Sequence, residues 1–243
     1  MSKFNKNDNK YIISYAIIMT LVFGSVLAVV ALALKPKQDA EVLLEKQNFI
    51  LKAALGENAM STMSDEQITA LYNETVKTVV VKADGVRVET EEASINVFKE
   101  YKKPKDVREL PVYKVYDQTD SGKIKAYVFP VYGKGLWDFI WGYVAVEADL
   151  KTLGGLVLDH KGETPGLGAR ITEQEVQNRF IGKEIFNANG ELDAPHFQKG
   201  EGNTYEGAHK VDGLSGATIT AKGVNNMLDD YLAMYKTFIK AQK

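Results

Sequence analysis

The stretch Asp212-Gly213-Leu214-Ser215-Gly216-Ala217-Thr218-Ile219-Thr220 crowds three hydroxyls and two glycines into one turn, just ahead of an amphipathic helix. A loop of small residues running into a helix N-terminus leaves backbone N–H groups without intrahelical partners, a natural seat for a phosphate. The same residues also describe a plain helix start, with Ser or Thr capping and Gly allowing the bend. A second stretch runs from His160 through Glu163-Thr164-Pro165-Gly166-Leu167-Gly168 to Arg170. Pro beside Gly, with another Gly two residues on, specifies a sharp turn whose backbone can approach a ligand closely. Turn chemistry accounts for the Pro and Gly, but not for Glu163-Thr164 ahead of the turn or Leu167 at its tip. The third stretch, Tyr132-Gly133-Lys134-Gly135-Leu136-Trp137, combines paired glycines with an indole. An aromatic face can stack on a planar ring, though Trp137 and Trp141 would also serve as core aromatics.

Hydrophobic spacing assigns the elements that carry these stretches. Val224, Met227, Leu228, Tyr231, Leu232, Tyr235, Phe238 and Ile239 follow the i, i+3, i+4, i+7 rhythm of a helix with one buried face. Thr78–Val81 and Val86–Val88 flank Ala83-Asp84-Gly85 as a hairpin. Residues 112–116, 124–132, 139–146 and 153–158 read as further strands, with a turn at 117–122. Ser64-Asp65-Glu66-Gln67 and Thr172-Glu173-Gln174-Glu175 read as capping boxes, each opening a helix. Residues 190–202 are polar, contain Pro195 and read as a surface loop. Strands grouped in the middle with helices at both ends predict an α+β domain with a mainly antiparallel sheet and flanking helices.

Upstream, Tyr11 to Leu34 are 24 residues without a charge, long enough for a helix across a bilayer core of about 30 Å. A cleaved signal peptide would have a shorter apolar core of about 7–15 residues. Ala31-Leu32-Ala33 is a passable cleavage site, but the length favours a retained transmembrane anchor. An amphipathic pattern then continues from Asp39 to Leu55 and stops at Gly56. The expected organisation is an N-terminal tail at 1–10, a transmembrane helix at 11–34, a membrane-proximal helix at 35–60 and one domain at 61–243. Lysines lie on both sides of the span, so the flanking charges barely discriminate its orientation.

The chain has 243 residues, a net charge of -2 and no cysteine. That balance gives no support for nucleic-acid binding, and the missing cysteines exclude disulfides, protein-ligated iron–sulfur clusters and c-type haem attachment. His160, His196 and His209 lack metal-ligand spacing, and no metal site is expected. No Ser-His-Asp order, Walker loop or Gly-x-Gly-x-x-Gly following a strand supports hydrolysis, phosphoryl transfer or direct NADH binding.

Asp-x-x-Ser-Gly-Ala-Thr resembles the signal read by flavin transferases, and Glu-Thr-Pro-Gly-Leu-Gly and Gly-x-Gly-Leu-Trp resemble the other loops of one family. That family is the FMN-carrying C subunit of the Na⁺-translocating NADH:quinone oxidoreductase, with the G subunit of the Rnf complex as its near relative. The likeness covers nearly the whole chain. It implies FMN joined through its phosphate to the hydroxyl of Thr218, within a loop of Ser215, Gly216 and Ala217. Asp212 would serve recognition by the transferase or fix the loop, and Lys222 would bond the phosphate or lie free in solvent. Glu163, Thr164 and Gly168 belong to the loop that would bond the isoalloxazine edge or ribityl chain. Leu167 would cover the ring, and Leu136 and Trp137 would wall it. The family's His sits one residue nearer the Glu, so His160 is assigned no role. The implied function is an electron relay from a metal centre in partner membrane subunits to a second covalent FMN, in a complex that oxidises NADH, reduces quinone and exports Na⁺. The single span carries no ionisable residue for an ion pathway, so partner subunits are required. The implied location is the bacterial cytoplasmic membrane, single-pass in the lipid bilayer, with the domain on the extracytoplasmic side. The Rnf-type flavoprotein is one alternative; a membrane-anchored binding or assembly module without redox chemistry is another.

Overall fold

The computed structural model describes residues 8–92, 95–205 and 207–242. Residues 1–7 of the expected N-terminal tail lie outside them. The chain divides into two units, Met1–Glu45 and Lys46–Lys243.

Helix α1 (Asn9–Leu55) makes up the first unit from Asn9 onward, and its last turns belong to the second. One stretch of it has a mean hydropathy of 2.7 with none of its residues buried, long and apolar enough to cross a membrane. Apart from the half-buried Met19, the large apolar side chains from Tyr11 to Leu34 are open, with Leu32 73% exposed. Pro36 lies inside the helix, so the end of the charge-free run is not the end of the element, and the pattern at 39–55 is its continuation.

In the second unit, α1 stops at Leu55. The short α2 (Glu57–Met60) and α3 (Asp65–Thr75) follow. The expected capping box at Ser64 is present: its hydroxyl accepts the Gln67 N–H while the Gln67 side chain accepts the Ser64 N–H. The sheet consists of β1 (Val76–Val81), β2 (Arg87–Val88), β3 (Leu110–Tyr116), β4 (Ile124–Lys134), β5 (Phe139–Glu147) and β6 (Leu153–His160). Their order is β2-β1-β3-β4-β5-β6, with every neighbouring pair antiparallel, and α4 (Val97–Tyr101) precedes β3. The α+β architecture with a mainly antiparallel sheet is the one expected.

Two-residue alternation sorts the core into two layers. Tyr127, Phe129 and Val131 of β4 face the amphipathic stripe of α6 (Thr218–Ala241), where Val224, Leu228, Tyr231, Leu232, Tyr235 and Ile239 are fully buried. Tyr235 anchors this layer, its hydroxyl donating to the carbonyls of Pro111 and Pro130 at 3.1 and 3.3 Å. Ala126 and Val128 face the opposite way and pack with Tyr113, Val115, Ala145 and Val157 against Ile50 and Ala53, at the end of α1. Lys46 pairs with Glu92, which also accepts the Tyr113 hydroxyl, closing that layer.

Two local readings need correction. The helix at Thr172 is only α5 (Gln174–Asn178), and no side chain caps it. A 3₁₀ turn at Gly168–Thr172 precedes it, and the Thr172 hydroxyl donates backward to the Ala169 carbonyl instead of capping forward. Residues 190–202 are not wholly loop, because β7 (His196–Phe197) pairs in parallel with β8 (Lys210–Val211). Asn225 of α6 holds β7 by bonding both the N–H and the carbonyl of Phe197.

Gly155 tests the α1 layer, because a Cβ there would collide with the carbonyl oxygen of Ala53. Gly155→Ala should destabilise the domain by about 1–3 kcal/mol. Gly154→Ala, which meets only the flexible Glu147 side chain, should stay within about 0.5 kcal/mol. Thermal unfolding of the two variants should separate them clearly; equal melting temperatures would refute this packing.

Candidate functional site

Three loops converge where β4 ends, β6 ends and α6 begins. The β4–β5 hairpin loop carries Gly135 to Asp138, the segment after β6 carries Glu163 to Gly168, and the loop after β8 carries Asp212 to Ala217. α6 presses closely on the first of these: a Cβ on Gly223 would lie 2.5 Å from the Lys134 carbonyl oxygen and 3.2 Å from Gly135.

Glu163 joins the three. It is 4% exposed. One carboxyl oxygen accepts the backbone N–H of Trp137 at 2.9 Å, and the other accepts the hydroxyl of Thr220 at 2.5 Å. Its own N–H donates to Nδ1 of His160 at 3.2 Å, which gives that histidine a structural part. Two glycines make room for the carboxyl group. A Cβ at Gly135 or at Gly168 would stand 2.5 Å from one of its oxygens. Both Glu163 oxygens thus accept a bond from within the protein, and the carboxyl group braces the β4–β5 loop against the start of α6. Thr164 is exposed at its hydroxyl, which accepts the Trp137 indole N–H at 3.2 Å. Its carbonyl accepts the N–H groups of Leu167 and Ala169, closing the turn. The tip side chains stay open: Leu167 is 43% exposed, Leu136 43% and Trp137 67%. Trp141 behaves differently, stacking on Tyr132 with ring centroids 6.3 Å apart.

In the loop that leads into α6 the hydroxyls part company. Thr218 is the first residue of α6 and is exposed, as are Ser215 and Gly216; Thr220 is buried against Glu163. Successive helix positions turn by about 100°, so residues two apart face nearly opposite ways. Ala217 is buried and occupies the N-cap with no side-chain cap bond, which leaves the first-turn N–H groups of α6 uncapped by any side chain. Gly216 has φ +74°, and a Cβ there would stand 2.8 Å from Leu167, so the turn after β6 and the loop that leads into α6 touch.

Charged groups brace the loop from behind. Asp212 is half-buried, and its carboxylate accepts the N–H groups of Gly202 and Asn203 at 2.9 and 3.1 Å. Glu201 accepts two bonds from Arg170, at 2.9 and 2.7 Å, one from Arg179 at 3.1 Å and the Ser215 N–H at 3.0 Å. Arg179 also donates to the Gly213 carbonyl at 2.7 Å. The Arg170 guanidinium and the Ser215 N–H hold the Glu201 carboxyl down at about 2, with Arg179 adding to them. A depressed carboxyl stabilises the fold above its unfolded value near 4.3, and that contribution fades as pH falls through 2. Arg170 is raised in turn, chiefly by its bonds to Glu201. Sequence reasoning gives none of these three side chains a role. They lie up to 45 residues from the loop they contact, and no local motif links them to it.

A cleft of about 200 Å³ opens beside Thr218, with Phe197, Leu214 and Ala221 as apolar walls and Lys199 and Lys222 as the cations lining it. Among the described residues, neither lysine has an acidic partner within 4 Å, and no cluster of His, Asp or Glu could hold a metal. The arrangement suits a phosphate ester of a planar heteroaromatic group. It provides a reachable hydroxyl, uncapped helix N–H groups, two unpaired cations and an exposed indole with two leucines, all around glycine-lined turns.

Residues 135–233, which span all three loops, match the FMN-binding domain family. The C subunit of the Na(+)-translocating NADH-quinone reductase of Haemophilus ducreyi is 34% identical over 93% of this chain and 90% of its own length. That of Pseudomonas aeruginosa is 32% identical over 94% and 93%. The crystal structure of the C subunit from Parabacteroides distasonis superposes with a TM-score of 0.74 at 33% identity, covering 86% of this chain and 98% of that one. With likeness of this extent in both sequence and fold, the chain belongs to the family of the Na(+)-translocating NADH-quinone reductase C subunit.

Proposed function

We propose that the chain is the membrane-anchored flavoprotein component of a Na⁺-translocating NADH:quinone reductase and carries FMN as a phosphoester on Thr218. The observation that carries this reading is the exposed Thr218 at the uncapped start of α6, beside the open Trp137, Leu136 and Leu167. The chemistry FMN supplies when bound is electron relay, from a metal centre held by partner membrane subunits to a second covalent FMN. The chain has no cysteine to offer a redox couple of its own.

Thr218 is the nucleophile in attachment. Its oxygen bonds phosphorus while an anhydride P–O bond of an activated FMN donor, held by a flavin transferase, breaks. The bonding pair leaves on the departing phosphate oxygen, and the hydroxyl proton passes to a base of the transferase. The first turn of α6 then faces the ester's negative charge, with Lys222 and Lys199 as charge-assisted partners. A helix N-terminus contributes only about 0.3–1 kcal/mol when exposed and up to ~2 when partly buried, too little to retain a cofactor in a dilute compartment. The covalent link removes that problem. Trp137, Leu136 and Leu167 shield the ring from water. Glu163 acts one step back, holding the Trp137 loop and the start of α6 in register. The apolar part of α1 anchors the chain in the bacterial inner membrane, with its N-terminus inside and the domain on the extracytoplasmic face.

Wild-type protein co-expressed with a transferase should keep flavin fluorescence on a denaturing gel, and Thr218→Ala should show none. A fluorescent Thr218→Ala band would place the bond elsewhere. Glu163→Ala should keep that fluorescence but destabilise the domain by about 1–3 kcal/mol, since it strands the Trp137 N–H and the Thr220 hydroxyl. An unchanged melting temperature would contradict the role assigned to the buried carboxyl.

A further inference from the structure

We infer that Glu201, locked by Arg170 and Arg179, is the positioning residue that shapes the Thr218 loop for flavin attachment. The inference rests on Thr218 being the acceptor. Glu201 lies outside the Asp-x-x-Ser-Gly-Ala-Thr pattern, in the stretch between β7 and β8.

Geometry sets Glu201 apart from its neighbours. Oε2 accepts the Ser215 N–H at 3.0 Å and the Arg170 Nη1 at 2.9 Å; Oε1 accepts Arg170 Nη2 at 2.7 Å and Arg179 at 3.1 Å. Both guanidinium groups belong to the segment that leaves the ring-side turn. Arg170 lies in the 3₁₀ turn that starts at Gly168, and Arg179 immediately follows α5. A single carboxylate thus ties that segment to the backbone three residues ahead of the reacting hydroxyl. Arg179 adds a second tie at the Gly213 carbonyl. Ser215 and Gly216 are themselves exposed, so burial does not hold them. Gly216 at φ +74° gives this part of the chain wide conformational freedom unless something restrains it.

The restraint matters because attachment needs the hydroxyl within reach of phosphorus and in line with the departing oxygen. A displacement of about 1 Å from such a geometry can slow a reaction by around 10²-fold. Charge-assisted bonds suit the purpose: a bidentate Arg–carboxylate pair fixes direction as well as distance. The side chains of Glu201, Arg170 and Arg179 are 20%, 23% and 14% exposed. The network is thus largely covered and links loop segments to one another, so it restrains the loop as well as contributing to the fold. Asp212, the acidic residue of the motif, acts differently. Its hydrogen bonds run to the Gly202 and Asn203 N–H groups, which shapes the turn that presents Glu201, and its carboxylate pairs with Arg179 at 3.6 Å without reaching the Ser215 backbone.

The test uses full-length wild type, Glu201→Gln and Glu201→Ala, each co-expressed with a flavin transferase under a pulse of induction. Flavin incorporation is followed by intact mass, the melting temperature of unmodified protein is measured alongside, and amide exchange is read at residues 213–218. Glu201→Gln keeps an acceptor for Ser215 but loses the charge, and should slow incorporation about threefold. Glu201→Ala should slow it tenfold or more, compared at equal distance below each melting temperature, and should speed exchange of the Ser215 amide at least tenfold. A purely structural role would lower the melting temperature and leave the matched rates equal, which would overturn the inference; so would unchanged Ser215 exchange. If Glu201→Ala does not fold, Glu201→Gln decides by its matched incorporation rate: a slowing of about threefold supports the inference, and a rate equal to wild type overturns it. Wild type that never gains flavin would overturn the acceptor assignment itself, and is told apart from failure of the inference by its unmodified mass.

Discussion

A carboxyl group placed where water cannot reach it governs the geometry of this domain. Burying such a group is unfavourable unless its oxygens find donors. Glu163 finds one in the hairpin between β4 and β5 and another in the first turn of α6. Once those two bonds form, the hairpin, the turn after β6 and the helix start have little freedom to separate. The glycines at 135 and 168 follow from the same constraint, since any side chain there would occupy the carboxyl group's space. Glycines that suggest a close approach to a ligand are in part a close approach to Glu163.

Behind this point the sheet supplies stiffness. Five of the six strands are at least six residues long, and α6 lies across them with its tyrosines and phenylalanine fully buried. Packing of that density resists displacement, so the start of α6 is held at a defined place relative to the ends of β4 and β6. The exposed residues around Thr218 are carried on a stiff base, the arrangement expected where binding groups are carried on loops.

Much of this is legible in the residues alone because it is periodic or local. The helix stripe from Val224 to Ile239 and the alternation in β4 and β5 report which face is buried. The Ser64 capping box needs only four residues to be recognised. Other features carry no such signal. β7 is two residues long, too short for alternation to show, and it exists because β8 and Asn225 pair with it. The Thr172 box has the same pattern as the one at Ser64, yet the chain there closes into a 3₁₀ turn and the hydroxyl is drawn backward. Grouping Ser215, Thr218 and Thr220 as neighbours overlooks helix geometry, which sends 218 outward and 220 inward; that distinction is available from spacing alone. The direction of Glu163 is not, because a loop motif records which residues are present and not which way they turn. Glu201 is hidden for another reason: its partners, Arg170, Arg179 and Ser215, are scattered along the chain, and an ion pair between distant loops leaves no pattern in either.

The central claim is that one hydroxyl, at the start of α6, is the covalent anchor. Fragmentation mass spectrometry of protein extracted from its native membrane tests it most directly. The account predicts an increment of about 438 Da, FMN less water, confined to Thr218 in the peptide that spans the acceptor loop. An unmodified peptide, or the same increment on Ser215 or Thr220, would contradict it.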